Sequence, residues 1–121
     1  PYHITVDDEK DLFVVDITGS ITEQDVLGAL QDLQRRDPMK ERCDLWLFGP
    51  DCMVPAAAFQ VIAQCARQAC REGMACRKSA LVTANELQYA AAEMYRGIFL
   101  SVPFDVGLFR SKEKALEWLR T

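Results

Sequence analysis

Histidine is nearly absent: His3 is the only one in 121 residues. A metal centre would have to be built almost wholly from thiolates, and a nucleophile would lack the usual imidazole base. No C-x-x-C pair occurs, and no Cys/His cluster has zinc spacing. Neither G-x-G-x-x-G nor G-x-x-x-x-G-K-[ST] is present, so the glycine-rich phosphate cradles are missing. An excess of positive charge is missing too. The net charge is −4, which argues against nucleic acid, whose phosphates need clustered Lys and Arg. No apolar run approaches the roughly 20 residues of a membrane-spanning helix. The opening "PYHITVDDEK" has no basic start and no apolar core, so no signal peptide is expected. Linkers, internal repeats and low-complexity runs are lacking, so residues 1–121 read as a single domain.

Half of the residues are apolar and about a quarter charged, as in an ordinary globular protein. A chain of this size buries a core without disulfides or metal. Its five cysteines, Cys43, Cys52, Cys65, Cys70 and Cys76, are odd in number and cannot all pair. Their plain reading is free buried thiols in a reducing compartment, so a cytoplasmic protein without cofactor or metal is expected.

The elements alternate. "HITV" and "LFVVDIT" are β-branched strands around the acidic turn "DDEKD", which predicts an antiparallel hairpin. Thr22 and Asp25 resemble a capping box, followed by a helix to about Arg36 with Val26, Leu27, Leu30 and Leu33 as its stripe. "DLWLF" reads as a buried parallel strand. Pro55 suits the first turn of a second helix running to about Glu72, with Ala58, Phe59, Ile62, Cys65 and Cys70 on its inner face. "SALVT" is a further strand. A third helix from Glu86 to about Leu100 is expected to bury Leu87, Ala90, Ala91, Met94, Tyr95 and Ile98. "FDVGLF" is the last strand, and Ser111 caps a final helix carrying Ala115, Leu116, Trp118 and Leu119. The order ββαβαβαβα predicts an α/β domain with a mixed, mainly parallel five-stranded sheet and four helices.

"SALVTANELQYAAAEMYRGIF" followed by "PFDVGLFRSKEKALEWL" resembles the C-terminal half of SpoIIAA-like domains of the STAS superfamily. The shared features are a strand ending in Val-Thr, a helix with a Tyr-bearing apolar face, a V-x-x-F strand and a closing A-L-x-W-L helix. "TGSITEQDV" agrees more loosely. The resemblance implies regulatory or binding modules rather than enzymes: anti-sigma-factor antagonists, or cytoplasmic parts of anion transporters. It also implies strand order 1-3-2-4-5, with a topological switch near the second strand and a ligand site on the rim beyond the strand ends. Gly19, Ser20, Asp51, Cys52, Met53, Thr83 and Asn85 fall on that rim. The occupant expected there is a small apolar or amphipathic ligand, or a protein partner.

One departure from the resemblance matters. Antagonist members carry a phosphorylated Ser or Thr at the start of the helix after the third strand, and "GPDCMVPAAAF" has neither. The phosphoserine switch is therefore absent by that route. Cys52 sits there instead, at the positive end of a helix, which favours thiolate, beside Asp51, which opposes it. The alternative function is thus a thiol-based redox sensor or enzyme centred on Cys52; the plainer reading is a loop or core residue. Asp25, Asp51 and Glu86 all lie at these junctions and would repel an anion.

Two surfaces complete the inventory. Arg67 and Arg71, with Arg77 and Lys78 beyond, form a basic face suited to an acidic partner or to peripheral contact with acidic lipid. Phe99 and Leu100 exceed what one helix face buries and suit the lining of a pocket, a partner surface or a homodimer. For both, the plain alternative is structural: a solvated helix face in the first case, packing against the last strand in the second. Asp16 lies in a strand and needs a partner if buried.

Overall fold

The computed structural model describes residues 1–37, 42–71, 78–94, 96–97 and 106–121, with backbone alone at 63 and 65–71. The elements are β1 (Tyr2–Asp7), β2 (Leu12–Ile17), α1 (Glu23–Arg36), β3 (Cys43–Phe48), α2 (Ala56–Arg71), β4 (Ser79–Val82), α3 (Glu86–Glu93), β5 (Val106–Phe109) and α4 (Lys112–Leu119). The expected ββαβαβαβα order and mixed five-stranded sheet are both present.

The strand order is not the one implied by resemblance. It runs β1-β2-β3-β4-β5, with β1 and β2 antiparallel and the remaining pairs parallel. The physical reason lies in the chain itself. The short turn after β1 returns β2 directly alongside it, from Tyr2 against Ile17 to Asp7 against Leu12, which leaves no room for β3 between them. Arg42, at the foot of β3, holds the turn by reaching Asp8 at 3.0 Å and Asp11 at 3.5 Å. The sheet then grows in one direction, strand by strand.

A sheet that grows one way through right-handed crossovers puts all its crossover helices on one face. Alternation within the strands shows the result. Phe13, Val15, Ile17, Trp46, Phe48 and Leu81 face Val26, Ala29 and Leu33 of α1, Ala58, Phe59 and Ile62 of α2, and Ala92 of α3. On the opposite face Leu12, Leu45, Ala80 and Val82 meet Ala115, Leu116, Trp118 and Leu119 of α4. Among the described strands there is no topological switch, and α1, α2 and α3 lie side by side on one face of the sheet.

The caps fall where the sequence places them. Thr22 and Asp25 form a full capping box on α1, and the Ser111 side chain accepts from the Lys114 amide at 3.3 Å on α4. The last strand starts at Val106; Phe104 and Asp105 lie outside the described residues.

Gly107 brings α4 onto the sheet. A Cβ there would stand 2.6 Å from Phe109 Cε2 and 3.1 Å from Trp118 Cη2, two rings already packed with centroids 5.4 Å apart. Gly107→Ala is therefore expected to lower stability by about 1–3 kcal/mol through overpacking. Chemical denaturation checks it; an unchanged midpoint would mean that the rings yield freely.

Candidate functional site

The rim at the carboxyl ends of β2, β3 and β4 gathers the predicted residues. Gly19 turns the chain with φ of +68°, a conformation that suits glycine. Its carbonyl then accepts from the Met53 amide at 3.2 Å, and the Met53 carbonyl accepts from Ile21 at 3.3 Å. Ser20 and Met53 thus extend the parallel pairing beyond β2 and β3. Gly49 N–H donates to the Ile17 carbonyl at 2.8 Å. Alternation past the strand end sends Cys52 inward and Met53 outward: Cys52 is 5% exposed and Met53 74%.

Gln88 joins this loop to the next one. It is 3% exposed and hydrogen-bonded on both sides of its amide. Nε2 donates to the carbonyls of Gly49 and Cys52, each at 2.9 Å, while Oε1 accepts from the Ala84 amide at 2.8 Å. Asn85 caps α3, its Oδ1 accepting from Gln88 N–H at 2.9 Å, and its Nδ2 reaches the Pro50 carbonyl at 3.5 Å. Thr83 is buried, with both its N–H and its Oγ1 directed at the Phe109 carbonyl. Among the described residues no buried side-chain polar atom lacks a partner. The rim residues lie together; Gln88, Asn85 and Thr83 tie the loops to one another beneath the surface, while Ser20 and Asp51 stay exposed.

Cys52 belongs to the main core cluster. Burial pushes its thiol above the ordinary range, and the positive N-terminus offsets this only in part. The helix dipole does not deliver a thiolate here, and the Cys52 carbonyl, not its sulfur, is what the rim uses. Thiol labelling of the native protein should leave Cys52 slow, with a rate set by opening of the core. Fast labelling of Cys52 near neutral pH would restore the thiol-centred reading. Among the described residues no group of three His, Cys, Asp or Glu side chains is placed to hold a metal.

The second face of α3 overturns an expectation. Gln88 and Ala92 point inward, while Leu87 is 83% and Met94 71% exposed. α3 runs to Glu93 with Met94 as its C-cap, residues 96–97 are again helical, and Tyr95, Ile98 and the expected end at Leu100 lie outside the described residues. The apolar residues cannot turn inward because the Gln88 amide is needed beneath the loop carbonyls, and that fixes the rotation of the helix. Beside them, Arg110 grips Glu86 with two bonds of 2.8 and 3.2 Å and lies over the Tyr89 ring at 3.6 Å. The guanidinium holds the Glu86 carboxyl below its usual range.

Of the other predicted residues, Ser20 and Asp51 are exposed on the rim. Arg67 and Arg71 lie on α2, described by backbone alone, and Phe99 and Leu100 fall outside the described residues. Asp16 is half-buried on the face of α4 and stands opposite His3 in the β1–β2 register. Sequence reasoning missed Gln88 and Arg110. Arg110 is 24 residues from Glu86, beyond any local pattern. Gln88 had a signal, since Asn85-x-x-Gln88 has capping-box spacing.

No family model matches the chain, and no curated protein matches it. Among solved structures it is similar to an uncharacterised protein of the DUF3478 family with a SpoIIAA-like fold from Shewanella loihica PV-4. The identity is 19%, the match covers 98% of this chain and 92% of that one, and the TM-score is 0.58. At that identity the likeness concerns the backbone alone. The match extends over nearly the whole length of both chains: this chain has the SpoIIAA-like fold.

Proposed function

We propose that this domain is a non-enzymatic binding module that docks a protein surface on the edge formed by the β3–α2 loop and α3. One observation carries the reading. Met53 and Leu87 are turned to solvent at the rim and Met94 two turns further along α3, outside a layer in which the Gln88 amide already pairs the loop backbone groups. Large exposed apolar side chains over such a layer suit a flat partner better than a small molecule. Asp51 is exposed beside them and Glu86 and Glu93 are each paired with an arginine, so these groups carry no excess positive charge for acidic lipid, and the net charge of −4 disfavours nucleic acid.

A second reading has its own observation. A groove of about 250 Å³ lies between the hairpin turn and α4, lined by Leu12, Leu116 and Leu119 together with Glu9, Lys10 and Arg120. An apolar lining with charged groups of both signs suits a small amphipathic molecule. Native mass spectra of gently purified protein separate the two. A bare polypeptide mass is expected. A retained small molecule that Leu116→Arg abolishes would overturn the docking reading in favour of the groove.

A further inference from the structure

Leu87 and Met94 stand seven residues apart, two turns of helix, and so lie on one line along α3 and its C-cap. Ala90 is exposed on the same line, with Ala91 beside it. Each end of the line carries an ion pair. Glu86 holds Arg110 at the start, and Glu93 holds Arg96 at 2.6 Å at the finish. Read from either end the order is the same: ion pair, large apolar side chain, small side chains, large apolar side chain, ion pair. A surface with that symmetry is complementary to itself under a two-fold axis.

We infer that the partner at this edge is a second copy of the chain, its α3 packed antiparallel against the first, with Leu87 of each copy against Met94 of the other. The inference rests on the docking function proposed above and names its partner. Three physical points support it. Alanines at the crossing let two helix axes approach to about 8 Å. Antiparallel packing sets the Glu86–Arg110 pair of one copy beside the Glu93–Arg96 pair of the other, so that charges alternate, whereas parallel packing would place each acid beside its own duplicate. The helix dipoles also oppose one another in the antiparallel arrangement. The stripe is short, and such a face falls below the roughly 1,200 Å² of a standard interface, so the dimer is weak and concentration-dependent.

Sedimentation equilibrium on the full chain, up to about 1 mM, tests this. The wild type should dimerise. Leu87→Glu and Met94→Lys should each weaken association at least tenfold, because each buries an unpaired charge twice. Both sites face solvent, so circular dichroism and the thermal midpoint should stay unchanged. An equimolar mixture of the two variants should recover association. Antiparallel packing brings the introduced carboxylate against the introduced ammonium and leaves one Leu87–Met94 contact intact. A wild type that stays monomeric, a dimer indifferent to both substitutions, or a mixture that fails to associate would each overturn the inference. A monomer with a bare native mass would end only the self-association; a retained small molecule would end the docking reading itself.

Discussion

Gln88→Leu is expected to lower stability by about 2–4 kcal/mol. The substitution keeps the bulk and removes both ends of the amide. The Cys52 carbonyl and the Ala84 amide lose the partners described here, and the Gly49 carbonyl keeps only the Cys52 N–H at 3.0 Å. Each buried polar group left unpaired costs about 1–3 kcal/mol. Gln88→Glu is a sharper form of the same test. A carboxylate accepts but does not donate, so it would face two carbonyl oxygens. Burial beside those oxygens raises its folded-state pKa above the unfolded value of about 4.3. The native state then binds more protons than the unfolded state, so stability falls as pH rises through that window and recovers as pH is lowered. Urea denaturation across pH checks both variants. Wild-type stability in either would show that the rim is held by something else.

Phe59→Ala should have a comparable or larger effect, about 3–5 kcal/mol. Phe59 is fully buried on α2, and its ring lies 5.2 Å from that of Phe48, the last residue of β3. This contact sits beneath the loop that carries Cys52, so its loss leaves a cavity under the rim. Phe59→Leu, which fills most of the space, should cost much less. Denaturant unfolding of the pair distinguishes packing from any specific ring contact. Equal losses in the two variants would assign the effect to the ring.

These two residues show where sequence patterns succeed and where they stop. Phe59 was legible as core because α2 has one apolar face and one rich in Gln and Arg. The caps at Thr22 and Ser111 were legible because capping is a local exchange of hydrogen bonds. The face of α3 was not. Ala90, Ala91 and Ala92 lie on different sides of that helix and give it little directional preference. Leu87 and Met94 then suggested an inner face that a single glutamine overrides. The reason is non-local: two carbonyls in a loop some 40 residues earlier need a donor. The strand order was misplaced because it came from resemblance, although the tight turn between β1 and β2 already required those strands to be neighbours. For the site, the membership of the rim was legible and its closure was not. Membership follows from element order, whereas closure depends on which side chains meet across loops.

The Ala84 amide offers the most direct test of a closed rim. Ala84 is an exposed residue outside any helix or strand, and its N–H is held by Gln88 Oε1 at 2.8 Å. Hydrogen exchange at that amide, followed by NMR in the wild type and in Gln88→Leu, reports on this bond alone. Clear protection is expected in the wild type, and its loss in the variant. Rapid exchange in the wild type would contradict this, and would mean that the rim stands open for a ligand.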